Sequence, residues 1–376
     1  LPIFEMKKLI CILLIALMGM TAFAEAPGDR LGWDTLNALY DASTNQVFSP
    51  VSLALALSMA ADGAKGDTRA EILSALNSEG VDWKSICDSL KKSGLKIANA
   101  AFVSGELDVH SDYVDQLKNI FSAEWFEMGE DVVQRINDWT NAHTDGLIDK
   151  LLDEAPSADT QLIYLNAVAM DAKWLIPFDA DSTSHAAFHA PDGDKNVPMM
   201  HKTAYFEYGE TESAQLLRLK YQNSALTMLL ALPKNGHSER EILSALSAQG
   251  LEYFGAISEE KRVQLALPKV DISVENSLND ALKAAGVQTA FTGNADFSGV
   301  SDTSLQISSV IQKARLIVDE DGTKAAAVTE IAMPTSALIT EDPIEFRADH
   351  PFVAVIANES TGTVCFAAVI ANPSEN

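Results

Sequence analysis

Apolar positions along the first half of the chain recur with helical spacing. The stretch "NQVFSPVSLALALSMAADGAKGDTRAEILSAL" (45–76) predicts two helices. Ser49 caps the first, Pro50 suits its opening turn and Gly63 stops it. The second opens on Thr68-Arg69-Ala70-Glu71, the spacing of a capping box. A further amphipathic helix runs through "VQRINDWTNAHTDGLIDKLL" (133–152) and breaks at Gly146. Beyond it the period changes. "TQLIYLNAVAMDAKW" (160–174) and "SALTMLLALPKN" (224–235) are apolar runs of strand length, and "KRVQLALPKVDIS" (261–273) alternates as a half-buried strand does. One more helix, "ENSLNDALKAAGV" (275–287), ends at Gly286, and "HPFVAVIAN" (350–358) with "GTVCFAAVIANP" (362–373) reads as a hairpin. Helices crowd the first half and strands the second. That order predicts an α+β fold, with helices packed on large, mostly antiparallel sheets. No internal repeat, low-complexity tract or linker interrupts it, so a single domain over 25–376 is expected.

Composition changes the picture mainly at one end. The 376 residues are 47% hydrophobic and 21% charged, sufficient for a substantial core. Their 53 acidic and 27 basic side chains give a formal charge of −26, which disfavours nucleic acid and anionic membrane surfaces, since both require clustered cations. The four lysines of "VDWKSICDSLKKSGLK" (81–96) are read as a solvated face. "MKKLICILLIALMGMTAFA" (6–24) has the charged, apolar, small-residue order of a secretory signal, with cleavage expected after Ala24. Its apolar run, Leu9 to Met20, is short for a membrane span, which needs roughly 20 residues. Residues 1–24 are therefore expected to be an N-terminal extension and signal peptide, with an uncleaved anchor as the alternative. The mature protein is expected to be secreted and extracellular, or periplasmic. Its loss of Lys7, Lys8 and Glu5 leaves a charge of about −27, and Cys87 and Cys365 remain as its cysteines. Two distant cysteines in an exported protein could pair but cannot make a disulfide scaffold, and the expectation is that both are free and buried.

Catalytic signatures are missing. The chain holds no HExxH, no phosphate-binding glycine loop, no GxGxxG and no GxSxG. His185 and His189 stand four apart, but "STSHAAFHAPDGDK" reads as strand and turn, where that spacing does not converge on a metal. Glu259 with Glu260, and Glu341 with Asp342, are adjacent carboxylates and not a placed acid and base. No enzyme, metal or cofactor is expected.

One segment fits no category. "EDGTKAAAVTEIAMPTSA" (320–337) is too polar for a core strand and too β-prone for a disordered tail. It suits strand and loop equally. Around it lie "NQVFSPVSLALALSMAADGAKGDT", "IANAAF", "INDWTNAHTDGLI", "LIYLNAVAMDAKWLIPF", "VPMM", "LALPK", "ALKAAGVQTAF", "ADFSGVS", "VDEDGTKAAAVT", "HPFVAVIAN" and "IANP", in that order. By this run of motifs the chain resembles the serpin family over nearly its whole mature length.

The resemblance implies a serpin fold of three β-sheets and eight or nine helices, with an exposed reactive loop at about 320–343. It implies a secreted suicide-substrate inhibitor of serine proteases. The target cleaves the loop and forms an acyl-enzyme. The loop then inserts into the main sheet, leaving a covalent 1:1 complex. A monomer is expected, with loop–sheet polymers on heating. Aligned on the family's hinge, Glu320, Gly322, Thr323, Ala325, Ala326 and Ala327 form the loop hinge. The scissile bond, counted as following the seventeenth residue from Glu320, is Ser336–Ala337, with Thr335 and Leu338 as alternatives. An inserted strand alternates faces, which turns Thr323, Ala325, Ala327, Thr329, Ile331, Met333 and Thr335 inward. None is charged. Lys324 and Glu330 point outward, and a one-residue slip would bury both at a cost of several kcal/mol. Insertion of roughly 14 residues at about 3.3 Å each moves the ester by some 45 Å.

The family's sheet-opening cluster matches Ser49, Ser52 and Asn166, with Gln312 where many members have histidine. Glutamine does not titrate near neutral pH, so no proton-gated opening is expected there. Asn166 can also be read as a satisfied buried amide without a part in motion. Ala172 and Ala368 stand where glycine is usual, and Pro334 cannot donate a ladder bond. Small residues at Thr335, Ser336 and Ala337 suit elastase-like or subtilisin-like targets. A non-inhibitory binding or chaperone protein, or an inhibitor of a cysteine protease, is the alternative.

Overall fold

The computed structural model describes residues 25–157, 160–308, 310–323 and 342–374. The signal-peptide reading of 1–24 lies outside them. Among the described residues are eight α-helices: α1 (Asp29–Leu39), α2 (Pro50–Gly63), α3 (Gly66–Leu76), α4 (Trp83–Lys92), α5 (Ser111–Phe121), α6 (Val132–His143), α7 (Glu239–Gln249) and α8 (Asn279–Ala284). The strands of the first half are β1 (Gln46–Phe48), β2 (Leu95–Ser104), β3 (Glu124–Met128), β4 (Leu162–Met170), β5 (Ala172–Lys173) and β6 (Ser184–Ala190). Then come β7 (Gly193–Glu210), β8 (Ala214–Lys220), β9 (Leu226–Pro233), β10 (Glu259–Pro268) and β11 (Val270–Ser277). The last are β12 (Ile311–Val318), β13 (Gly322–Thr323), β14 (Ile344–Arg347), β15 (Phe352–Asn358) and β16 (Thr363–Ile370).

Local signals account for many of these elements. Ser49 caps α2, its hydroxyl accepting from the Ser52 N–H at 3.3 Å, and nearly every residue of that helix is buried. Asp145 and Gly146 take left-handed backbone angles just after α6, where the break was expected. Elsewhere tertiary partners overrule local ones. The capping box of α3 does not form: the helix begins at Gly66, ahead of Thr68. Thr68 Oγ1 instead accepts from Asp296 N, and the Glu71 carboxylate takes Gln288 N, Thr289 N and the Thr289 hydroxyl. The alternating run 261–273 is two strands in different sheets, parted at Lys269, whose N–H still donates to Pro198 O of β7 at 2.9 Å. Residues 275–277 extend β11, which leaves α8 shorter than its sequence pattern.

A nine-stranded sheet runs in the order β1-β16-β15-β9-β8-β7-β10-β14, with β6 paired to β7. β15 and β16 are buried at every residue, as their unbroken apolar runs require. Three smaller ladders complete the fold: β3-β2-β4, β11-β12 and β13-β5. No ladder joins β4 to β12 among the described residues. A small cavity lies between them, walled by Met170 of β4, Leu316 of β12 and Thr323, over Ile356 and Phe366 of the large sheet. One face of β2 and β4 joins the main core through Ile97, Val168 and Met170. The other carries α6, with Val132, Ile136 and Trp139 against Ala100, Phe102, Leu165 and Ala167. The expected α+β arrangement of helices on sheets is the one observed.

Candidate functional site

The hinge is built from the turn after β12. Asp319 N–H donates to Gly322 O at 3.0 Å, and its carboxylate receives Asp321 N and Gly322 N at 3.0 and 3.1 Å. Burial pushes the Asp319 carboxyl up against those two bonds. The segment after β5 grips the same turn. Trp174 N donates to Asp321 O and Phe178 N to Glu320 O, both at 2.9 Å, while the Trp174 indole donates to Asp319 O at 3.0 Å. Glu320 accepts from Lys269 Nζ at 2.7 Å and from the Thr183 hydroxyl at 2.8 Å. Gly322 and Thr323 then pair with Lys173 and Ala172. This approach is so close that a Cβ on Gly322 would run into the Ala172 carbonyl. Thr323 is 5% exposed, its hydroxyl 2.6 Å from that of Tyr221, whose ring stacks on Trp174 at 4.6 Å.

Of the sheet-opening residues, the structure joins three. Gln312 brackets the backbone of Ser49, its Oε1 accepting from Ser49 N at 2.8 Å and its Nε2 donating to Ser49 O at 2.9 Å. The Ser49 hydroxyl donates to Cys365 O at 2.7 Å while capping Ser52 N–H. Asn166 is not hydrogen-bonded to these three. Its amide donates to Asn99 Oδ1 at 2.7 Å, and Asn99 in turn donates to Phe121 O. The Asn166 Oδ1 atom is buried with no hydrogen-bond partner among the described residues. Among the described residues Gln312 meets Ser49 and has no hydrogen bond to Asn166.

Glu320, Gly322 and Thr323 are thus placed at the interruption of the sheet. Ala325, Ala326, Ala327, Thr335, Ser336, Ala337 and Leu338 lie outside the described residues. Cys87 and Cys365 are buried and not bonded to each other. His185 and His189 both lie on β6, where His189 Nδ1 meets Asp194 at 2.7 Å. Sequence reading missed the residues that hold the hinge: Trp174, Thr183, Tyr221 and Lys269. Lys269 and Thr183 stand 51 and 137 residues from Glu320, and no local pattern marks them.

The unjoined ladders β3-β2-β4 and β11-β12, with a hinge strand seated beside the gap between them, define the class of fold. A family model described as serpin (serine protease inhibitor) matches residues 28–373. An uncharacterized serpin-like protein of Thermococcus kodakarensis is 34% identical over 361 residues, covering 91% of this chain and 84% of its own. The native thermophilic serpin tengpin superposes with a TM-score of 0.82 at 27% identity, over 92% of this chain and 93% of its own. Thyroxine-binding globulin, solved in complex with thyroxine, gives 0.80 at 27% identity, over 92% and 99%. The chain belongs to the serpin family, whose members are generally protease inhibitors and not enzymes.

Proposed function

We propose that this serpin is an exported suicide-substrate inhibitor of serine proteases, trapping its target by inserting the reactive loop between β4 and β12. The observation that carries the proposal is Thr323, already buried and paired to Ala172 at the mouth of the interruption. A strand continuing in that antiparallel register sets Ala325 against Met170, Ala327 against Val168 and Thr329 against Asn166. All share the inward face, and Lys324 and Glu330 fall on the other. In the reaction the protease serine attacks the Ser336 carbonyl and the Ser336–Ala337 amide breaks. Ala337 leaves as an amine carrying the proton, and Ser336 stays as an ester. Insertion then carries the ester away from the cleavage site before water attacks it. Small residues around the bond suit elastase-like or subtilisin-like enzymes.

The likeness to thyroxine-binding globulin favours a second reading, a ligand-binding serpin whose loop does not insert. A denaturing gel of the protein with elastase, subtilisin and a cysteine protease separates the two. A covalent band near the summed mass with a serine protease supports the proposal, and the released N-terminus identifies the bond. Cleavage without a complex and without gain in heat stability overturns it.

A further inference from the structure

The two faces of β12 have different partners. Gln312, Ala314, Leu316 and Val318 face the core. Lys313 and Arg315, on the opposite face, reach the segment that follows α6. Lys313 Nζ donates to Lys150 O at 2.6 Å, and Arg315 Nη1 donates to Leu147 O at 3.1 Å.

That segment belongs mechanically to the other side of the interruption. It leaves from α6, which packs on β2 and β4. Trp139 and His143 of α6 both meet Glu124 of β3 at 3.0 Å. The Asn137 side chain fixes Leu151 and Leu152 through their N–H groups and the Leu152 carbonyl. Asp145 pairs with Lys96 of β2. So the segment is anchored to β3-β2-β4 and held at the same time by β12. Arg315 cannot follow a moving partner easily. Its Nε and Nη2 clasp the Asp271 carboxylate at 2.8 Å each, fixing the guanidinium to β11 as well. Leu147 and Arg315 also border the cavity ahead of Thr323, so this contact lies over the next strand position.

We propose that Arg315 is a positioning residue for the inhibitory reaction: a latch that holds the β4–β12 interruption at its uninserted width. The proposal rests on the insertion mechanism above. Admitting a strand parts β4 and β12 by about 4.8 Å, more than a 3.1 Å hydrogen bond from a pinned guanidinium tolerates. The latch therefore stabilises the intact form, is absent from the inserted one, and slows entry. Lys313, on a flexible stem, can stretch further before releasing.

Two variants test this. Arg315→Met keeps the apolar stem and removes the donors, while Asp271→Asn keeps the guanidinium and loosens its orientation. Stopped-flow tryptophan fluorescence after mixing with subtilisin follows insertion, and calorimetry gives midpoints of intact and cleaved protein. Both variants are expected to insert about threefold to tenfold faster. Both should also lose more heat stability when intact than when cleaved, since the Arg315–Asp271 pair within β11-β12 is kept on insertion and the Leu147 contact is not. Equal loss of heat stability in the two forms would make Arg315 merely structural, and unchanged insertion rates would likewise overturn the latch. A wild-type protein that gains no heat stability on cleavage would remove the insertion mechanism itself, and the latch with it.

Discussion

Glu320 shows how much a single hinge side chain carries. Burial pushes its carboxyl up, but the hydrogen bonds from Lys269 and Thr183 outweigh that and hold it below the ordinary carboxylate range. The stabilisation is therefore complete above the unfolded-state value of about 4.3 and is lost as pH falls through the lower folded value. Glu320→Gln is expected to cost the intact protein about 1 kcal/mol at neutral pH, with the gap closing in acid. Calorimetry from pH 7 to pH 3 checks this, and a constant gap would contradict it. Thr323 makes a sharper test. Arginine there would bury a charge beside Tyr221, so on the proposed mechanism Thr323→Arg is expected to be cleaved as a substrate, visible as loss of the covalent band; undiminished inhibition would refute the register. Thr329→Val addresses the other end of that register. If Thr329 comes to lie against Asn166, its hydroxyl supplies the partner that Asn166 Oδ1 lacks. The variant should then destabilise the cleaved form by about 1 kcal/mol and leave the intact form unchanged.

At the scale of elements, a bulge in β16 ties both N-terminal helices to the sheet. The register passes from Ile356↔Phe366 to Ala357↔Val364, leaving Cys365 as the extra residue. Its neighbours take up the unpaired backbone groups. Val364 N–H lies 3.2 Å from both Asp29 oxygens, and Cys365 O accepts from the Ser49 hydroxyl that also serves α2. Burial pushes the Asp29 carboxyl well up against the Val364 bond, and nearby Glu25 adds to the rise. Protonated Asp29 is thus the form that the fold prefers. Its contribution is full below an unfolded value of about 3.9 and is lost as pH rises through the raised folded value. Asp29→Asn keeps an acceptor for Val364 but cannot ionise. It should gain on the wild type as pH rises from 4 to 8, the two converging in acid. Parallel midpoint profiles would assign the titration to another group.

For the molecule as a whole, the proposed insertion makes the intact form a kinetic trap. New ladder bonds on insertion would supply on the order of 10 kcal/mol, so the cleaved protein should melt far above the intact one. The same open edge can accept a second molecule's loop. Slow heating of the intact protein is expected to give a ladder of polymers on native gels, and purely monomeric unfolding would argue against an accessible opening.

What was legible in the sequence was local: the Ser49 cap and Pro50 start of α2, the aliphatic runs of β4 and β9, and the terminal hairpin. The ordered motifs were legible too, and they pointed to the family. These depend on terms acting within a few residues, namely helix capping, apolar period and the alternation of a pleated strand. The tertiary structure decided which distant atoms meet. It gave Thr68 and Glu71 partners outside their own helix, divided 261–273 between two sheets, and brought Lys269 and Thr183 to Glu320. It also bound Gln312 to Ser49, 263 residues away, and left Asn166 apart from both. A buried polar group must find a partner wherever the packed chain delivers one, and that choice is made by geometry the local pattern does not contain.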